Sequence, residues 1–330
     1  MDSSYECTED AEADCDYGLF LDLERGVCMS PRRGMYTASY GSCTLQLDAK
    51  QDFSTSGLND DGGWYGVVAD GHGRTSRVVE LLRGMDWASV TGRTNPIEYV
   101  VERVAVLGET VRDGATLSVA RVRAGRLELS WLGDSAMEFF VDGKRTWRSP
   151  IHSPNVPTER DAVVRRGGVI ADTDQHGRPL WGIEAVTPTA ATMVPINHTC
   201  LSSPSAAITE RVTLTRCLGH NRLQSDGRFR CALRTDPQHH VLSLPPGKAG
   251  RLVMASDGLW DVLATSDRTW LARDDTTAEL IAAKAQERWT QEWTYRFPHG
   301  ASTATSSPKE TRSRIGRPDD VSVVVWSGTG

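Results

Sequence analysis

The 330-residue chain contains no run of about 20 apolar residues, so no part of it reads as a membrane-spanning helix. Its first residues, MDSSYECTEDAEADCDYG, have neither a basic start nor an apolar stretch. No secretory signal is therefore expected, and the protein reads as intracellular, in cytoplasm or nucleus. There is no C-x-x-C pair, and the seven cysteines make an odd number. A zinc site built from closely spaced ligands is not expected, and the thiols read as reduced and inert. No excess of basic charge supports binding to nucleic acid, since the formal net charge is −6. No internal repeat is visible. With 39% hydrophobic and 24% charged residues, the chain is neither wholly disordered nor fibrous, and it can bury a sizeable core.

The charge that is present is unevenly placed. Residues 1–24 hold nine carboxylates and no Lys or Arg. The remainder carries 37 basic against 34 acidic residues, a nearly neutral body. Residues 1–34 read as an acidic, solvated tail ahead of a single catalytic-sized domain over 35–330.

Hydrophobic patterning places buried strands at WYGVVA (64–69), RLVMA (251–255) and VSVVVW (321–326). LSVARV with RLELSWL, and EFFV with KRTW, read as two hairpins about Arg123-Ala124-Gly125 and Asp142-Gly143. Helices are expected over 76–87, after Asn95-Pro96, over 157–166 and from a capping box at Thr276-x-x-Glu279. Residues 185–208, rich in Pro, Ser, Thr and Ala, read as a long variable loop, and 301–313 as a mobile one. Strands come in runs without βαβ alternation, which predicts an α+β fold of antiparallel sheets covered by helices.

The chemistry is expected where carboxylates stand at strand ends. Asp70 follows WYGVVA, Asp134 follows SWLG, Asp257 follows RLVMAS, and Asp319-Asp320 precede VSVVVW. An aspartate at that point is held by rigid backbone yet presents its oxygens at the sheet's rim. Several such groups brought together cannot all ionise without a cation. Oxygen donors favour hard ions, hence Mg²⁺ or Mn²⁺. Any one Asp-Gly alone is more often a turn. The set carries the argument.

That set resembles the metal-dependent Ser/Thr protein phosphatases of type 2C. The matching stretches are Lys50-Gln51-Asp52, VVADGHG (67–73), DGATLSVARV (113–122), WLGDS (131–135), VVRRGG (163–168), LTRCLG (214–219), MASDGLWDVL (254–263) and DDVSVVVW (319–326). They occur in the family's order. The resemblance implies two stacked antiparallel β-sheets flanked by helices, an α-β-β-α sandwich. It also implies two Mn²⁺ or Mg²⁺ ions with a third, weaker position, and direct attack of a metal-held water on phosphoserine or phosphothreonine. By the same resemblance Asp70 bridges the two ions, the Gly71 carbonyl binds one, and Asp257 and Asp319 complete the shell. Asp52 lies just outside it, Asp134 belongs to the third position, and His72 is the general acid. A phosphorylated protein is the implied partner, with no nucleic acid or membrane, and the protein is expected to be a monomer.

The chain also departs from the family pattern. Where members carry a phosphate-gripping Arg, LQLDAKQD (45–52) has none, which leaves Lys50, Arg33 or Arg74 as substitutes. Where members read ALGD, this chain has Cys217-Leu218-Gly219-His220. These departures keep a second reading open: a phosphatase-like module of weak activity that binds phosphoproteins.

Overall fold

A computed structural model describes residues 20–22, 27–29, 37–46, 51–110, 112–166, 168–173, 180–201, 210–223, 226–227, 229–244, 246–296, 310–314 and 318–329. Most of the acidic head, Lys50 and residues 301–309 lie outside these, and with them most of the expected tail and mobile loop.

Two seven-stranded sheets lie face to face. One runs in the order 20–22, 27–29, 37–45, 321–329, 249–255, 137–141, 144–148. The other runs 218–219, 113–115, 64–73, 117–123, 126–132, 238–243, with 52–58 paired alongside 64–73. Every pairing within them is antiparallel, including both expected hairpins.

The two-residue period of a strand explains how they stack. Val68, Leu252, Met254, Val324 and Trp326 point inward and meet Trp64, Leu127, Leu129, Met137 and Phe139 between the sheets. Their neighbours Val253, Ala255, Val323 and Val325 point the other way, against Ile281, Ala285 and Trp289 of the helix Ala278–Thr290. Val67 and Ala69 likewise face Val78, Val79, Leu82 and Val100 of the helices Arg77–Arg83 and Pro96–Ala105. Because both faces of these strands are covered, WYGVVA and VSVVVW read as continuous apolar runs rather than alternations. The result is the α-β-β-α sandwich.

Several local expectations are corrected. The strand from Trp64 does not stop at Asp70 but continues to Gly73, pairing with Asp113–Ala115. The helix expected over 76–87 is two helices, Arg77–Arg83 and Trp87–Gly92, the second capped by the Asp86 carboxylate. The cap of the long helix is Thr277, whose side chain accepts from the Leu280 amide, while the Thr276 hydroxyl donates to the Trp270 carbonyl. Residues 185–208 are not a plain loop. Trp181–Thr187 and Ala190–Pro195 form a hairpin, and His198–Leu201 joins a separate three-stranded sheet. The hairpin pairs in parallel with Glu292–Arg296, and Glu310–Arg314, which overlaps the stretch expected to be mobile, forms the edge of that sheet. Val186, Thr187, Thr189, Thr192 and Val194 supply the β-propensity that Pro and Ala obscured.

Candidate active site

Strand pairing brings the aspartates together at one rim of the sandwich. Asp52 and Asp70 are directly opposite each other in the ladder. The ends of 249–255 and 321–329 are also neighbours, with Ala255 opposite Val323. The Ser256 amide donates to the Ser322 carbonyl at 3.0 Å, and the Ser322 amide donates to Ser256 Oγ at 3.0 Å. This double link fixes Asp257 beside Asp319-Asp320. A Cβ on Gly258 would lie 1.9 Å from the Asp320 carbonyl oxygen, so only glycine allows the approach. The two sheets are joined here as well, because the Gln51 amide donates to Asp320 Oδ2 at 2.8 Å.

Asp134 is aimed by its neighbours. Gly133 takes φ +99°, a conformation suited to glycine. Ser135 Oγ lies 2.5 Å from Thr116 Oγ1, and that hydroxyl accepts from the Asp70 amide at 3.0 Å. One oxygen each from Asp70, Asp134 and Asp257 therefore falls within 4.8 Å of the others. The third position that the resemblance gives to Asp134 therefore lies next to Asp70 and Asp257.

Electrostatics mark the same cluster. Burial, then Asp257 and Asp52, raise the Asp70 carboxyl well above the usual range. Asp52, 1% exposed, is raised by burial and by Asp320, Asp319 and Asp257, although a hydrogen bond with Ser256 opposes this. Asp134 is raised by burial and by Asp257 and Asp319. Asp319 is pushed up to about 7 by loss of water and by Asp257. Asp52 Oδ2 is buried without a hydrogen-bond partner in the structure. An acceptor in that position fits a cation, and an all-oxygen donor set fits a hard one.

The cluster has a member that sequence reasoning did not assign. Asp261, at the open edge, is raised by loss of water and by Asp257, Asp134 and Asp319. Its amide donates to the Asp257 carbonyl at 2.8 Å, one helical turn on. The i, i+4 spacing within SDGLWD was the available signal.

His72 stands two residues beyond Asp70, half-buried. Its Nε2 lies 2.9 Å from Nε2 of His220, and the rings stack with centroids 4.9 Å apart. Burial, then His220, push it down to about 3, against a hydrogen bond to the Asp70 carbonyl. The ring is neutral at physiological pH. Sequence reasoning did not pair these histidines, which are 148 residues apart.

Gly71 is fixed by its amide, which donates to the Gln51 carbonyl at 3.0 Å. Arg74 is exposed just past the strand's end, and its amide donates to the Arg112 carbonyl at 2.8 Å.

A double antiparallel sandwich with an aspartate cluster at its rim is the architecture of a phosphatase fold, and the comparisons agree. The chain belongs to the protein phosphatase 2C family, whose model matches residues 100–292. Asp134 and Asp257 lie inside that match, whereas Asp52, Asp70, His72 and Asp319 lie outside it. Probable protein phosphatase 2C 76 of Arabidopsis thaliana is 25% identical over 233 residues, covering 66% of this chain and 46% of that protein. Probable protein phosphatase 2C 55 of Oryza sativa subsp. japonica is 24% identical over 208 residues, covering 60% and 45%. The chain thus spans less than half the length of these relatives. Among solved structures, the serine-threonine phosphatase 2C from Toxoplasma gondii superposes with a TM-score of 0.56 at 14% identity, covering 89% of this chain and 95% of that one. The S. agalactiae serine/threonine phosphatase gives 0.50 at 17% identity, covering 88% and 98%. At these identities the likeness is one of fold. No helix among the described residues is long and apolar enough to cross a membrane.

Proposed function

We propose that the chain is a metal-dependent protein serine/threonine phosphatase that hydrolyses phosphoserine and phosphothreonine by direct attack of water, working as an intracellular monomer. The observation that carries this reading is the convergence of Asp70, Asp134 and Asp257 within 4.8 Å, beside the unpartnered Asp52 Oδ2. Asp70, Asp257 and Asp319, with the Gly71 carbonyl, would hold two Mg²⁺ or Mn²⁺ ions, and Asp134 with Asp261 a third. Bound there, such ions supply an activated water at neutral pH and offset charge on the phosphoryl oxygens.

The chain's own residues do the rest. Asp52 accepts a hydrogen bond from the water and orients it. Arg74, with Lys50 as the other candidate, draws the phosphate dianion to the rim as a cation in open solvent. His72 protonates the leaving alkoxide, a step that contributes about 10²–10⁴-fold. A phosphate dianion beside the ring favours imidazolium and so opposes the burial that keeps His72 neutral. The second reading, a weakly active phosphoprotein-binding module, draws on the His72–His220 contact, which ties up the acid's ring nitrogen.

The test is phosphate release from a phosphothreonine peptide with Mn²⁺, with Mg²⁺ and with chelator. Release that requires metal and falls to background in Asp70→Asn and Asp257→Asn is expected. A folded protein with no release at millimolar metal would turn the assignment toward the binding module.

A further inference from the structure

Beside the carboxylate cluster lies a second group of ligands of different chemistry. His72, Cys217 and His220 each present a donor atom, and these lie within 4.8 Å of one another. Two imidazoles and a thiol are borderline-soft donors, suited to Zn²⁺ and poorly suited to Mg²⁺ or Mn²⁺. Local spacing had excluded a zinc site. The fold brings His72, distant in sequence, to the Cys217-x-x-His220 pair.

The group is rigidly built. Cys217 and His220 are fully buried, and half-buried His72 forms the way in. Arg216, next to Cys217, donates from Nε and Nη2 to the two oxygens of buried Glu159, at 3.0 and 2.5 Å. The His220 amide donates to the Asp113 carbonyl at 2.7 Å, and its carbonyl accepts from the Ala232 amide at 3.1 Å. Gly219 and His220 take φ +75° and +47° in the turn that directs the second ring toward the first. Gly114 leaves room for both rings, because a Cβ there would lie 2.6 Å from each Nε2. Cys231 Sγ lies 3.5 Å from the Cys217 carbonyl oxygen and is not one of the three donors, so a water would take the fourth position.

We propose that His72, Cys217 and His220 form a Zn²⁺ site, and that its occupation takes His72 out of catalysis. The inhibitory half rests on the role given to His72 above, and the binding half does not. On coordination the Cys217 thiol gives up its proton to solvent and the thiolate, with both Nε2 lone pairs, binds the ion. His220 carries its remaining ring proton on Nδ1. At Zn–N distances of about 2.0–2.1 Å and tetrahedral angles, the nitrogens stand roughly 3.3 Å apart. The rings therefore separate by a few tenths of an ångström from the 2.9 Å of the metal-free pair.

Co²⁺ serves as the spectroscopic probe, with the full chain freed of metal. Titration is expected to give a thiolate-to-cobalt charge-transfer band that saturates at one equivalent and is displaced by Zn²⁺. The band is lost in Cys217→Ser and Cys217→Ala, with circular dichroism reporting that each variant is folded. It persists in Asp70→Asn and Asp257→Asn. Zn²⁺ affinity in the Cys217 variants is expected to fall by more than the roughly 10–100-fold that loss of an outer-shell partner costs. With Mn²⁺ in excess, Zn²⁺ inhibits phosphate release by the natural chain and not by the Cys217 variants. No band, or one unchanged in both Cys217 variants, overturns the site. Inhibition that survives in those variants overturns its effect on His72. A band from a protein that releases no phosphate leaves the site standing while the catalytic reading fails.

Discussion

The two ligand groups differ in every property that decides which ion they take. The aspartates stand at the rim of the sandwich, are drawn from both large sheets, and present only oxygen. The imidazole and thiol group lies beside them, at the edge where Leu218-Gly219 pairs with Gly114-Ala115 and Gly114 with His72, and presents nitrogen and sulfur. In the first group burial, and then the like charges of neighbouring aspartates, raise Asp52, Asp70, Asp134 and Asp319, and a cation relieves them. In the second, burial opposes any charge, so His72 is lowered and the Cys217 thiol is raised well above its usual range. A hard dication is thus called for by repulsion at one centre, and a softer one by donor type at the other. Asp70 and His72 sit two residues apart on one strand, which puts the two centres in a position to influence each other.

The sharpest way to break the comparison is a methyl group at either centre. Gly258→Ala should force Asp320 away from Asp257 and cost about 1–3 kcal/mol of stability, the usual range for overpacking. Mn²⁺-dependent turnover should fall with it, as thermal melts and the peptide assay would show. Gly114→Ala should part the imidazoles and abolish the cobalt band while Mn²⁺ still binds the aspartates. Equal loss of both metals in either variant would mean that the centres are one unit.

A smaller effect is expected from His220→Asn, since asparagine tolerates the positive φ at that position. The ring of His220 is one of the causes holding His72 down near 3, so its removal should shift the His72 titration upward. Imidazole NMR shifts against pH would detect this, and no shift would mean that burial alone sets the value.

The smallest effect concerns pH and the metal-free chain. Asp319 titrates near 3.8 when unfolded and at about 7 when folded, so the folded state holds the proton more tightly. Its contribution to stability is full below pH 3.8 and is lost as pH rises through about 7. The thermal stabilisation given by Mg²⁺ over chelator should therefore grow across that interval, and Asp319→Asn should flatten the growth.

Much of this was legible in the sequence because strands covered on both faces leave unbroken apolar runs. WYGVVA, RLVMA and VSVVVW each located a carboxylate by its end. The hairpins were legible from Gly-containing turns, both of which take positive φ at Ala124-Gly125 and Asp142-Gly143. The stretch 185–208 was not, since its strands pair partly with 292–296, a partner that local composition cannot reveal. The His72–His220 contact was hidden for the same reason, being set by the Gly114 register on one side and Gly219 on the other. Asp261 was within reach by helical spacing alone.

The strand Val321–Thr329 occupies the middle of its sheet, between 37–45 and 249–255. Each of those neighbours is paired on its other side, with 27–29 and with 137–141, so both keep one open edge until Val321–Thr329 has been made. A chain cut before that strand keeps Asp70 and Asp257 but loses the Ser322 amide and carbonyl that hold Ser256, and with them the link that sets Asp257 in place.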